Sequence, residues 1–149
     1  MSTAPDALAW VVAVQSAATF GMTGVIWLVQ LVQYPGFARV GAAEFGAFHR
    51  HHCRAIGLVV GPLMVVELLT ALLLAAAGEP LRFWRVMLGA LLAIWLSTAL
   101  LQGPLHGRLS REGLRPDLVR ALVRGNWVRT VLWSARSVGL VWFYARGWA

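Results

Sequence analysis

The sequence predicts an all-α integral membrane protein, a polytopic bundle of four helices with short amphipathic interfacial helices on the cytoplasmic side. Three observations carry this. Of 149 residues, 59% are hydrophobic and only 13% charged, with a mean hydropathy of +0.69, far too apolar for an ordinary soluble domain. Four stretches, at about 7–33, 54–78, 81–102 and 126–146, are long enough to cross a hydrocarbon core roughly 30 Å thick. The charges gather between these stretches, which is the pattern of membrane topology. Residues 1–149 therefore form a single membrane domain whose first partner is the lipid bilayer.

The first six residues, Met1 to Asp6, carry no Lys or Arg, so the basic start of a cleaved signal peptide is missing and the first helix is expected to stay. Tyr34-Pro35-Gly36 is expected to end it. At about 100° per residue, Ser16, Thr19, Thr23, Trp27, Gln30 and Tyr34 fall on one side, and each has a polar atom. The stretch from Gly36 to Arg54 is too polar to span. Within it, residues 42–52 form either an interfacial helix or an extension of helix two.

Helix two, about 54–78, contains Pro62, a residue membrane helices tolerate because neighbours satisfy the freed carbonyl. Glu79-Pro80 makes a short turn, so helices two and three should be antiparallel neighbours. Gly103-Pro104 is expected to stop helix three, on which Trp95, Thr98, Gln102 and His106 share one side. Residues 106–125 are polar, and 116–123 read as a short amphipathic helix lying on the membrane, its arginines reaching headgroups. Helix four then sets Asn126, Arg129, Thr130, Trp133, Ser137 and Tyr144 along one side, with Arg136 at the margin.

All 13 basic residues are arginine, against six acids, and the isoelectric point is near 11.5. Such a balance would fit nucleic acid if the charge lay on one soluble face, but its confinement between apolar runs argues against a nucleic-acid partner. Counting arginines instead gives orientation. The segments after helices one and three carry Arg39, Arg50, Arg54, Arg108, Arg111, Arg115, Arg120, Arg124 and Arg129, whereas the opposite side has only Arg82, Arg85 and Arg146. By the positive-inside rule both long segments are cytoplasmic, and both termini face outward across the inner (plasma) membrane.

The two halves resemble each other. Ile26-Trp27-Leu28, then Gln33 and Pro35, recurs as Ile94-Trp95-Leu96, then Gln102 and Pro104. Both halves cross in the same direction first, so duplication would give parallel two-helix repeats related by an axis along the membrane normal.

Candidate functional residues follow from cost and spacing. Glu67 and Arg136 are the ionisable groups deepest in the membrane, at estimated depths of about 20 Å and 15 Å from the cytoplasmic ends of their helices. Each would cost about 3 kcal/mol facing lipid alone, so both should face inward as a buried ion pair. That pair is either structural or the floor of a polar cavity. His49 and His52 stand at i, i+3 on one helix face, a spacing that a metal or haem site uses, and His106 should lie on the same membrane side. Histidine beside arginine at an interface also contacts headgroups or caps helices. His49 and Glu67 share a face, yet about 27 Å separates them along the axis, so they cannot bind one ion together. The lone Cys53 cannot form an internal disulfide. The sequence names no cofactor: Walker, dinucleotide, nucleophile-elbow, HExxH and CxxC motifs are absent.

The four-span layout, the Tyr34-Pro35 stop and the Asn126-Trp127-Val128-Arg129-Thr130 opening of helix four resemble the anthrone-oxygenase-like family of small bacterial and fungal membrane proteins. The resemblance implies oxygenation of a hydrophobic aromatic substrate within a helical bundle, without a metal. It assigns no catalytic residue, and the cluster His49-Arg50-His51-His52 is no part of it.

Two function classes follow. One is an oxygenase-like or redox enzyme acting on a lipophilic small molecule in a cytoplasmic-end cavity, with His49, His52, His106, Asn126 and Arg129 as catalytic candidates and Trp27, Gln30, Tyr34 and Gln102 binding substrate. The other is non-enzymatic, a small-solute or ion carrier or a structural subunit, and either class admits a homo-oligomer. The polar side of helix one, running from Ser16 to Tyr34, is what a carrier would need. The inward sides of all four helices are expected to converge on one interior, with Trp27 and Trp95 as counterparts across the pseudo-twofold axis.

Overall fold

The computed structural model describes residues 4–77 and 79–147, with side chains from residue 7 onward. Met1 to Thr3, Gly78 at the end of the second expected span, and the last two residues lie outside the described residues. Among the described residues there are four long helices and no strand. Helix one is α-helical over Ala4–Leu28, makes one wide π turn at Val29–Gln33, resumes at Tyr34–Gly36 and tightens into a 3-10 turn at Phe37–Arg39. Helix two is Ala42–Ala77 and continues through Pro62. Helix three runs through Leu81–Ser97, a π turn at Thr98–Gln102 and Gly103–Glu112. Helix four is Pro116–Ala145.

Neither proline ends its helix, which corrects the expected stops at Pro35 and Pro104. Proline has no N–H to donate and its ring collides with the carbonyl four residues back. A π turn absorbs both problems by widening the helix one residue before the ring. The Tyr34 N–H reaches back to the Val29 carbonyl, and the Gly103 N–H to that of Thr98, each spanning five residues. The helices therefore run on past the positions where the sequence alone suggests a break.

The real terminators are local. Helix one stops where Val40 turns extended, and helix two opens at once, its Phe45 N–H bonding to the Gly41 carbonyl at 3.0 Å. Glu44 in the first turn folds back over Gly41, a placement that the absent Cβ permits and the helix dipole favours. Helix three ends at Gly113, whose φ of 75° is the left-handed conformation open to glycine. Pro116 then starts helix four with its φ already set.

Each helix packs against two neighbours, one against two, two against three, three against four and four against one, with short reversals between successive helices. The separate interfacial helix expected at 116–123 is instead the first two turns of helix four. Its apolar side, Leu118, Val119 and Leu122, is buried against Tyr34, Phe37 and Leu109 rather than lipid. Likewise, residues 42–52 are an extension of helix two. At 1.5 Å per residue, the 36 residues of helix two reach about 54 Å, well beyond a core of about 30 Å.

The outer surface is apolar where a bilayer would lie, with Leu28, Leu31, Leu58, Leu69, Leu73, Leu92, Leu96, Val131 and Val138 exposed. Three helical stretches, Ala7–Arg39, Ala42–Ala77 and Leu81–Glu112, are long and apolar enough to cross a membrane. Helix four is comparably long but carries Arg120, Arg124, Arg129 and Arg136.

Inside, two apolar clusters are separated by a polar layer. One centres on Met22, Ile26, Phe37, Met64, Ile94 and Trp133, the other on Val12, Leu74, Trp84, Met87, Leu140 and Phe143. Between them Glu67 accepts from Thr19 Oγ1 at 2.6 Å, from Trp133 Nε1 at 2.9 Å and from Arg136 Nη2 at 3.1 Å. Arg136 also donates to the Met87 carbonyl, so all four helices meet in this layer. Gln15 extends it, donating to Thr19 at 3.2 Å and accepting from Thr70. Removing one partner of such a pair strands a buried charge, a loss of about 3–5 kcal/mol. Glu67→Leu should therefore lower the thermal midpoint of the detergent-solubilised protein more than Glu67→Leu combined with Arg136→Met. Equal losses would show that the two charges do not compensate each other.

Candidate functional site

The proline-permitted extensions of helices one and three meet the first turns of helix two and build a stack of rings. On helix two, Phe45, His49 and His52 repeat at helical spacing and so present one face. Phe45 stacks on His49 with ring centroids 5.5 Å apart, His49 on His106 at 5.2 Å, and His106 on His52 at 5.9 Å. Phe37, from the last turn of helix one, stands edge-on to His52 at 5.0 Å and to His49 at 5.6 Å. His49 is fully buried and His52 nearly so.

Hydrogen bonds fix the imidazoles. His49 Nε2 lies 3.0 Å from His106 Nδ1, and the far nitrogen of each ring has its own partner. His106 Nε2 is 3.0 Å from the Tyr34 hydroxyl, and His49 Nδ1 is 3.2 Å from Ser110 Oγ. Cys53, one turn beyond His49, places its sulfur 3.6 Å from His49 Nε2 and 3.8 Å from His106 Nδ1. The buried His52 Nε2 has no hydrogen-bond partner among the described residues.

Arg129 reaches this cluster from helix four. Its guanidinium lies within electrostatic reach of Tyr34, donates to Thr98 Oγ1 at 3.4 Å and sits 5.8 Å from the Trp133 ring. The structure thus brings Tyr34, His49, His52, His106 and Arg129 together.

Other candidates go elsewhere. Asn126 Nδ2 donates to Gln30 Oε1 at 2.9 Å, and Gln30 Nε2 donates to the Val123 carbonyl at 3.2 Å, a clamp between helices one and four with Thr130 at its edge. Gln102 is buried beside Gly125, and neither of its amide atoms has a partner. The expectation of an inward-facing Trp27 is corrected. It lies on the outside, 39% exposed, edge-on to Trp127 at 5.7 Å and donating to Ser134 Oγ at 3.0 Å. The wide π turn begins two residues later, and Trp27 has its polar partner on the rim of helix four, so nothing draws it inward. Trp95 is half-buried against the larger apolar cluster.

Sequence reasoning missed Cys53, Ser110, Phe37 and Phe45. The signal for Cys53 was present, because His49 and Cys53 stand at i, i+4. Phe45 likewise stands four residues before His49, whereas Phe37 and Ser110 depend on where helices one and three end.

Beside the stack, helices one and two enclose a groove of about 540 Å³, lined by Val25, Leu28, Val29, Val32 and Gln33 on one side and Phe48, His51, His52, Ala55, Ile56 and Val59 on the other. Its wall is apolar except at the end that holds Gln33, His51 and His52.

No family model, curated protein or solved structure matches the chain.

The Gln30–Asn126 clamp makes a separable prediction. Asn126→Ala would leave the buried Gln30 carbonyl short of a donor, costing about 1–3 kcal/mol of stability. The midpoint of thermal unfolding measures that loss, and no change would place the clamp outside the energetics of the fold.

Proposed function

We propose that this chain is a four-span protein of the inner membrane that binds a lipophilic small molecule in the groove between helices one and two and acts on it as an oxygenase-like or redox enzyme. The observation that carries the reading is the groove itself, an apolar trough open toward the lipid-facing side whose polar end is His52, the last ring of the His49–His106–His52 stack. A molecule dissolved in the bilayer would enter sideways, losing little solvation because lipid and groove wall are alike. Its polar group would then lie against His52, whose ring stacks on His106, itself hydrogen-bonded to Tyr34 and His49. An aromatic substrate bearing a hydroxyl or carbonyl suits both the edge of Phe48 and the imidazole, which agrees with the substrate class implied by the resemblance to anthrone-oxygenase-like proteins.

Helix four is read as the remaining span because Val131, Val138 and Val141 face outward while Arg129 and Arg136 are buried. The two halves are read as a duplication. The π turns begin at Val29 and Thr98, and the same 69-residue interval separates Glu67 from Arg136. At that interval Met64 and Trp133, Ala71 and Leu140, and Leu74 and Phe143 are buried in pairs. The arginine asymmetry supports reading the ring stack as cytoplasmic and both termini as outside.

A carrier reading would route solute along the polar side of helix one from Ser16 to Tyr34, where Ser16, Thr19, Thr23, Gln30 and Tyr34 are bonded to Tyr144, Glu67, Ser137, Val123 and His106.

Filling the groove tests the proposal. Ala55→Trp should abolish photolabelling by a diazirine-bearing alkylphenol in reconstituted vesicles, and His52→Ala should weaken labelling about tenfold, the worth of one hydrogen bond. Val138→Trp, on the outer face of helix four, should label like the parent chain. Labelling that survives Ala55→Trp removes the groove from the function. Orientation is separately measurable, since a single cysteine placed at Gly147 in a Cys53→Ser background should react with an impermeant thiol reagent on intact cells.

A further inference from the structure

We propose that His49 Nε2, Cys53 Sγ and His106 Nδ1 form a binding site for one borderline transition-metal ion, of the copper or zinc class. These three atoms all lie within 4.8 Å of one another. The separations are 3.0 Å between the nitrogens and 3.6 and 3.8 Å from the sulfur to each. An ion holding nitrogen at about 2.05 Å and sulfur at about 2.3 Å in tetrahedral geometry sets nitrogen pairs about 3.3 Å apart and nitrogen–sulfur pairs about 3.6 Å apart. The three pairwise separations are within a few tenths of an ångström of one face of that tetrahedron, and the sulfur, also 4.0 Å from His49 Nδ1, has to swing toward the outer side of Nε2 to share the ion.

The surroundings are those of a ligand set rather than of a chance contact. Two of the three donors come from one helix at i, i+4 and the third from helix three, so the fold itself brings them together. The nitrogen of each imidazole that points away from the triangle has a hydroxyl partner, Tyr34 for His106 and Ser110 for His49. Such outer partners would hold an outer N–H on each ring once both inner nitrogens give their lone pairs to the ion. Phe37 and Phe45 pack against the rings and fix their planes.

Donor chemistry sets the class. Two imidazoles and a thiolate are poor partners for magnesium or calcium, which demand oxygen, and good ones for copper and zinc. On binding, the Cys53 thiol gives up its proton to the buffer and the thiolate sulfur donates a lone pair to the ion. The hydrogen bond between His49 Nε2 and His106 Nδ1 is replaced by two metal–nitrogen bonds, the bridging hydrogen moving to the outer nitrogen of the same ring.

The site goes beyond the groove reading and does not depend on it. The test uses the intact protein in detergent, stripped with a chelator and titrated with Co(II), then with Cu(II) and Zn(II) in separate arms. One Co(II) per chain should bind with an intense thiolate charge-transfer band. Cys53→Ser should abolish the band and weaken binding by about a hundredfold or more, because losing a ligand costs at least what losing its outer partner does. Tyr34→Phe should weaken binding about 10–100-fold while keeping the band. His51→Gln, exposed on the next position round the helix, should bind like the parent. Absence of a stoichiometric ion, a band that persists in Cys53→Ser, or an equal loss in His51→Gln would overturn the proposal. Cys53→Ser is nearly isosteric at a half-buried position, so the outcome does not depend on whether a histidine variant folds. The Cu(II) and Zn(II) arms rank the affinities of the site for the two ions, and alkylphenol labelling remains an independent readout.

Discussion

Glu67 and Arg136 meet in a layer to which all four helices contribute, and most of the architecture can be read outward from that contact. In a bilayer, an apolar side chain gains little by turning inward, because lipid is as apolar as the core. Orientation of each helix must come from groups that cannot face lipid. The carboxylate is held by Thr19, Trp133 and Arg136, and the guanidinium by Glu67, Thr19 and the Met87 carbonyl, so each helix has its rotation fixed by at least one bond into this layer. The apolar clusters above and below then pack in the only register the layer allows.

The layer also gives the proposed duplication a chemical signature. The two charged partners stand at equivalent places in the two halves, so one ancestral position would have become acidic in one copy and basic in the other. Such divergence turns a like pair on the axis into a compensated one. The halves diverge further at the polar end. At the same 69-residue interval Leu118 stands opposite His49 in the sequence and Ala121 opposite His52, so under the proposed duplication helix two would carry the donor face and helix four the apolar backing. Phe37 and His106 are counterparts too, and they face each other in the stack at 6.3 Å.

The two prolines connect fold to site. Had Pro35 and Pro104 ended their helices, Phe37, His106 and Ser110 would sit in loops with no fixed relation to His49. The π turns carry the helices onward instead, and a bundle longer than the membrane is thick holds its ring stack on rigid elements. Rigid placement is what separates three nearby donors from a preorganised site.

Sequence by itself determined the class, because composition and the length of the apolar runs admit only helices in lipid. It also determined that Glu67 and Arg136 must be inward and that His49, His52 and Tyr34 belong to one end, since cost and helical period are local properties. Tertiary structure decided the rest. Whether a proline stops a helix depends on whether the next turns have neighbours to pack on, and Leu109, Leu118 and Leu122 supply them here. Whether Trp27 faces in or out depended on its partner on helix four. Cys53 gained its significance only when His106 arrived from a helix more than fifty residues away, at a distance of 3.8 Å that no periodicity along a single helix encodes.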